Sequence, residues 1–227
     1  MKTSLETLDL PQIRAKIDQG CRVALLLRHS ERPPIPTDDK DFGRRIGLTP
    51  RGIEMARAAG SHLAGIRDAR FFASPMARCQ LTARHIAEGM GLPDATVTDA
   101  EQLGVRGFFY EDCYAVQAAM QQRGYMAFML DYLRNGTAPY SRPIGPATDD
   151  LAEWLRHQTT TRLGIFISHD IFVASFLTGL KIRTYTAEDW VGFLHGAALF
   201  EAPDGTWTCR ACVPELRVCQ EPAAFAD

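Results

Sequence analysis

Three short apolar runs constrain this chain most: RVALLLR at 22–28, ARFFASP at 69–75 and RLGIFISHD at 162–170. Each stops at polar residues, and each precedes a stretch with helical spacing. An unbroken apolar run of this length reads as a strand buried on both faces. Such strands alternating with helices predict an α/β chain, a three-layer α/β/α sandwich with a largely parallel central sheet. Ligands in such sheets bind where loops leave the C-terminal ends of strands. Here those ends carry Arg28 and His29, Ser74 through Arg78, and His169 and Asp170.

The rest of the chain fits around this frame. Thr49 followed by Pro50 predicts a helix start through GIEMARAAGSHLAG, and residues 76–91 predict a second helix closed by Gly91 and Pro93. Residues 94–103 read as a strand leading into a polar turn. Residues 112–135 are helical in composition, with Met120, Met126, Phe128, Met129 and Leu133 as a weak apolar stripe. SRPIGPATDD reads as a loop, with Asp149 or Asp150 capping DLAEWLRHQ, and a further helix follows over IFVASFLTGL. GAALFEA and TWTCRACV, separated by Pro-Asp-Gly, predict a hairpin. With no internal repeat, residues 1–227 read as a single domain, and the aromatic, Met-rich segment 104–148 reads either as a core-completing helical cap or as an insertion over the active site.

Composition removes several function classes. The 227 residues include 25 basic and 27 acidic side chains, a net charge of −2, which excludes nucleic-acid binding by bulk charge. No run reaches the ~18–20 apolar residues of a membrane span. The first twenty residues, with scattered charges and Pro11, lack the apolar core of a secretory signal, so a cytoplasmic protein with six free thiols is expected. Cys209, Cys212 and Cys219 fall one ligand short of a zinc site, and no metal or cofactor is expected.

The charged residues at the strand ends carry the chemistry. A neutral imidazole keeps one nitrogen lone pair free, so His29, framed by a strand end, is a candidate nucleophile. Arg28 ends an apolar strand, and a guanidinium there needs a carboxylate or an external anion; Glu31 is the nearest acid in sequence. Arg32 can join the same pocket. Arg78 and His169 stand at predicted helix N-termini, where backbone N–H groups also favour an anion. Asp170 is either a helix cap or a general acid.

These residues carry a resemblance. LLLRHSERPP resembles the opening signature of the histidine phosphatase superfamily, the phosphoglycerate mutase-like enzymes. LTPRGIEMARAAG resembles the helix after it, FFASPMARCQLTA the Ser-x-x-x-Arg…Thr-Ala segment, and FISHD the second histidine motif. The four occur in family order between about residues 20 and 180. The resemblance implies that His29 is transiently phosphorylated, that Arg28, Arg78 and His169 bind the phosphoryl group, and that no metal takes part. It implies two candidate proton donors: Asp170, as in the branch with RHSERPP and HD motifs, and Glu101, as in the branch of shorter chains. Ser30 stands where the family usually has glycine, so its backbone is expected to be ordinary or its hydroxyl to act as a donor.

The expected function is hydrolysis of a small-molecule phosphate monoester or other phosphorylated substrate, with no nucleic-acid or membrane partner. A phosphoglycerate mutase-type phosphotransferase and a non-catalytic phospho-ligand binding module are the alternatives. Neither the leaving group nor the oligomeric state is written in the sequence.

Overall fold

The computed structural model describes residues 1–36, 39–104 and 106–216. In chain order they form β1 (Lys2–Leu8), α1 (Leu10–Asp18), β2 (Arg22–Arg28), α2 (Pro50–Ser61), β3 (Ala69–Ala73), α3 (Ala77–Gly89) and β4 (Val97–Asp99). A 3-10 turn at Glu101–Leu103 leads to α4 (Cys113–Arg123), α5 (Tyr125–Asn135), α6 (Ile144–Gln158), β5 (Leu163–Ser168), α7 (Asp170–Gly179), β6 (Gly196–Glu201) and β7 (Trp207–Cys212).

The strands make one sheet in the order β1-β7-β6-β2-β5-β3-β4. Its centre is parallel, as the buried runs require: β2 pairs with β5, β5 with β3, and β3 with β4. The C-terminal hairpin enters antiparallel, β6 against both β2 and β7, and β1 pairs in parallel with β7 at the edge. Alternation along each strand divides two cores. Val23, Leu25 and Leu27 face α1, α2 and α3 with Ile165 and Ile167, whereas Ala24 and Leu26 face α5, α6 and α7 with Phe166. Burial on both faces explains the continuous apolar spelling of β2 and β5.

Several elements differ from the sequence reading. β1 and α1 occupy the N-terminal stretch; Asp9 and Gln12 form a reciprocal capping box at α1, with Pro11 in its first turn. The strand in 94–103 shrinks to Val97–Asp99. The helical stretch 112–135 is two helices, divided at Gly124 with φ +86°, a backbone state that favours glycine. The segment SRPIGPATDD is not a loop throughout: α6 starts at Ile144, because a proline at the third helical position loses no intrahelical bond. Asp149 and Asp150 lie inside α6 rather than at its cap. No helix among the described residues is long and apolar enough to cross a membrane.

Candidate active site

Register brings the three strand ends level. Arg28 is paired with Ser168 across the β2–β5 ladder, and Ala73 with Ile167 across β3–β5. Two further backbone bonds extend the pairing past the strands: His29 N–H to Ser168 O at 2.9 Å and Ser74 N–H to Ile167 O at 3.0 Å. The residues predicted to meet do meet.

His29 is only 2% exposed, and its Nδ1 lies 2.8 Å from Ser30 O. A carbonyl only accepts, so Nδ1 holds the proton and Nε2 keeps its lone pair. Burial first, and then the Arg78 guanidinium, bring its pKa down to about 3. The ring is therefore a neutral imidazole in its nucleophilic tautomer. Ser30 has no left-handed backbone, and its hydroxyl donates inward, to Gly52 O at 2.7 Å. Its N–H donates to Thr82 Oγ1 at 2.9 Å, and Thr82 in turn donates to Arg78 O at 2.7 Å. Gly52 must be glycine: a Cβ there would lie 2.1 Å from Glu31 O. The loop after His29 thus rests directly on α2.

Arg78 is the second residue of α3. It donates to Phe42 O at 3.1 Å and Gly43 O at 2.9 Å, and its Nη2 lies 3.2 Å from His169 Nδ1. Since a guanidinium cannot accept, His169 Nδ1 is the acceptor. The proton sits on Nε2, which faces Ser74 Oγ at 3.0 Å. Burial, followed by the Arg78 charge, holds the His169 pKa well below its ordinary value. His169 is neutral and aims Arg78.

Asp170 opens α7, one residue past the N-cap, His169. Its Oδ1 accepts from Ile171 N–H at 2.9 Å, and its Oδ2 accepts from the Trp190 indole at 3.1 Å. Oδ2 also lies 3.4 Å from Arg28 Nη2. Burial pushes this carboxyl up, but Arg28, His29 and the two N–H donors outweigh it and hold it below the usual carboxylate range. The acid beside Arg28 is therefore Asp170; Glu31 is occupied by Thr49 Oγ1 at 2.7 Å and Arg51 at 2.5 Å.

A segment not singled out in the sequence completes this corner. Arg28 donates to Val191 O and stacks 4.3 Å above the Phe193 ring. Leu194, fully buried, sits at φ +61°, a strained state for leucine. Trp190, Val191 and Phe193 offered no local motif, since their role depends on folding back onto β2 from more than 160 residues away. His195 presents its carbonyl to Arg28 N–H at 2.9 Å.

The cavity in front of these groups holds about 350 Å³ and is lined by His29, Arg32, Arg78, His169 and Asp170. Arg28 stands behind Asp170, off the cavity wall. Glu101 is elsewhere: its side chain is 58% exposed and pairs with Arg106 at 3.2 Å. Among the described residues, five buried polar side-chain atoms have no partner, and three are the Nε atoms of Arg28, Arg32 and Arg78. Unsatisfied buried donors are costly, and the two belonging to the cavity-lining Arg32 and Arg78 point to an anion. The consecutive aromatic residues Phe108, Phe109 and Tyr110 divide: Tyr110 lines the cavity, Phe109 is core against Phe172, and Phe108 packs on Trp154.

No described cysteine lines the cavity. Cys79, beneath His169, is pushed up to about 12 by burial and stays a thiol. Cys209 and Cys212 point into opposite cores, as an odd spacing along a strand dictates, and Cys219 lies outside the described residues.

The sequence pattern described as "Histidine phosphatase superfamily (branch 1)" matches residues 24–103. No curated protein matches the chain. Among solved structures, a mycobacterial hydrolase ("Mycobacterial hydrolase 2") aligns with TM-score 0.56 and 15% identity over 88% of this chain and 94% of its own. A mycobacterial glucosyl-3-phosphoglycerate phosphatase aligns with TM-score 0.53 and 16% identity over 87% and 100%. A phosphoglycerate mutase from Bacillus anthracis aligns with TM-score 0.52 and 12% identity over 84% and 92%. These likenesses give the fold. Over residues 24–103 the chain is thus similar to the histidine phosphatase superfamily (branch 1), and over most of its length it shares the fold of these structures.

Proposed function

We propose that this chain is a metal-independent phosphomonoesterase working through a phosphohistidine on His29. One observation carries the reading: a neutral His29 with a free Nε2 faces a cavity lined by Arg32 and Arg78, whose Nε atoms are buried without partners. The N-termini of α3 and α7 frame the same space and add positive potential.

In the first step, His29 Nε2 attacks phosphorus as the bond to the leaving oxygen breaks, and the Asp170 carboxyl gives its proton to that oxygen. In the second, the Asp170 carboxylate takes a proton from water, whose oxygen attacks phosphorus as the P–N bond breaks. Inorganic phosphate leaves, and His29 and Asp170 are restored. Arg32 and Arg78 bind the equatorial oxygens, where charge develops. His169 closes that wall and orients Arg78; Arg28 adds its field from behind and holds Asp170. An arriving phosphate dianion offsets the arginine charge and raises Asp170 towards protonation. Asp170 is preferred to Glu101 as donor because it lines the cavity with His29. Segment 104–148 roofs the cavity through Tyr110, Gln117, Met120, Gln121 and Tyr125. The unpaired described cysteines fit a reducing, cytoplasmic setting.

The test is phosphate release from p-nitrophenyl phosphate, with chelator present, by wild type and His29→Ala. Chelator-resistant turnover that the substitution abolishes supports the reading. Turnover surviving in His29→Ala overturns it.

A further inference from the structure

The wall beyond the phosphoryl groups has its own chemistry, which bears on what the phosphate is attached to. Four rings run outward in sequence: His29 to His169 with centroids 5.6 Å apart, His169 to Phe172 at 6.0 Å, and Phe172 to Tyr110 at 5.3 Å. Successive rings are inclined at 69°, 62° and 55°, so each presents an edge or tilted face to the next. Phe172 and Tyr110 line the same cavity as His29 and Asp170, so a group attached to the phosphate is within reach of both rings. The same cavity is lined by Ile35, Phe42 and Met120.

Charge on this wall is equally selective. Among the described residues, the only lysine or arginine side chains lining the cavity are Arg32 and Arg78, both already assigned to the phosphoryl group. The remaining charged lining residues are the carboxylates Asp39 and Asp170. Asp39 is fixed by its own loop, accepting from Asp41 N–H at 2.9 Å and Gly43 N–H at 2.8 Å. A second anionic group on the substrate would lie among apolar side chains and beside Asp39, with no further cation among the described lining residues to meet it. An uncharged flat group would bury its faces there. Gln117 and Gln121, one turn apart on α4, offer neutral hydrogen bonds to a polar substituent at its rim.

We propose that the substrate is the phosphate monoester of an uncharged, ring-bearing apolar alcohol, and that Tyr110, Phe172 and Met120 select it against esters carrying a second anion. The proposal rests on the phosphomonoesterase reading above.

The test compares esters phosphorylated at a primary alcohol, so that leaving-group basicity does not decide the outcome: 2-phenylethyl phosphate, propyl phosphate and 3-phosphoglycerate. In wild type, kcat/KM for 2-phenylethyl phosphate should exceed that for propyl phosphate by on the order of ten- to a hundredfold, the worth of burying a ring. The 3-phosphoglycerate value should be lower still. Met120→Ala should narrow the phenylethyl-to-propyl ratio, and Met120→Lys should raise 3-phosphoglycerate turnover relative to 2-phenylethyl phosphate. The wild-type series stands even where a variant fails to fold. If p-nitrophenyl phosphate is hydrolysed but propyl phosphate or 3-phosphoglycerate equals or exceeds 2-phenylethyl phosphate, the leaving-group proposal is overturned and the phosphatase reading survives. If no ester is hydrolysed, both fall.

Discussion

The two sides of the cavity are built to different standards. Its floor is the edge formed by β2, β3 and β5: Leu26, Leu27, Ser74, Ile167 and Ser168 are at most 1% exposed, and backbone bonds continue past the strand ends. The side proposed above as its roof is α4, which contributes one buried side chain, Val116, while Tyr114 remains 71% exposed. The next helix, α5, is anchored by Phe128, Met129, Tyr132 and Leu133. Groups that handle charge need fixed positions, because a misplaced guanidinium stabilises nothing in the transition state. Groups that accept a ring need only shape and apolarity. The weakly anchored element is therefore the one expected to govern the leaving group.

The largest effects should come from the floor. His29→Ala is expected to lower kcat by on the order of 10³-fold or more, since the proposed mechanism routes the phosphoryl group through His29. Asp170→Asn should cost about 10²- to 10⁴-fold, the range for a lost general acid. Glu101→Gln, at an exposed site, should change turnover by no more than about twofold. Steady-state kinetics on p-nitrophenyl phosphate decides this. Equal losses for the two carboxylates would break the division between the cavity edge and the neighbouring surface.

Protonation offers a finer probe of the same edge. His29 stays neutral down to about 3 while Asp170 must carry a proton to donate it, so kcat/KM should rise as pH falls from 8 towards 5. Trp190 donates to Oδ2 and so favours the ionised carboxyl. Trp190→Phe should therefore raise the Asp170 pKa and move the alkaline limb to higher pH; a limb that stays in place removes Trp190 from the acid's control. The depressed His29 pKa also bears on stability. The unfolded chain takes up a proton below about 6.5 that the folded one refuses until about 3, so Tm should fall as pH drops through that window. His29→Gln should flatten this decline.

Much of the floor was legible in the sequence because its constraints are local. A buried parallel strand must be apolar throughout, and reactive residues at its end stand out against that background. His29, Arg32, Arg78, His169 and Asp170 all occur at such breaks and line one cavity. What escaped depends on contacts distant in the chain. Trp190 and Phe193 have no periodicity to mark them and gain meaning only from lying against Asp170 and Arg28. Arg28 itself was expected at the anion, whereas its backbone position turns the side chain behind Asp170. β1 escaped because an edge strand with one buried residue in KTSLETL carries no apolar signature, although the Asp9–Gln12 capping box beside it was readable. The roof was visible only as composition: α4 has almost no apolar face, and Gly124 alone signalled that one helical stretch was two.

The smallest expected effects separate floor from roof by stability alone. Leu26→Ala opens a cavity between β2 and the α5–α7 layer and should cost about 2–5 kcal/mol of global stability. Val116→Ala removes less apolar volume, and it does so from an element that can detach without unfolding the sheet, so its cost should appear mainly as local opening. Hydrogen exchange distinguishes these outcomes. Val116→Ala should speed exchange at Cys113–Arg123 while leaving β2 and β5 protected, whereas Leu26→Ala should speed exchange throughout. If Val116→Ala instead exposes the sheet amides to the same degree, α4 unfolds with the core. The roof would then be a fixed wall, and selectivity for the leaving group would have to come from its shape rather than from its freedom to adjust.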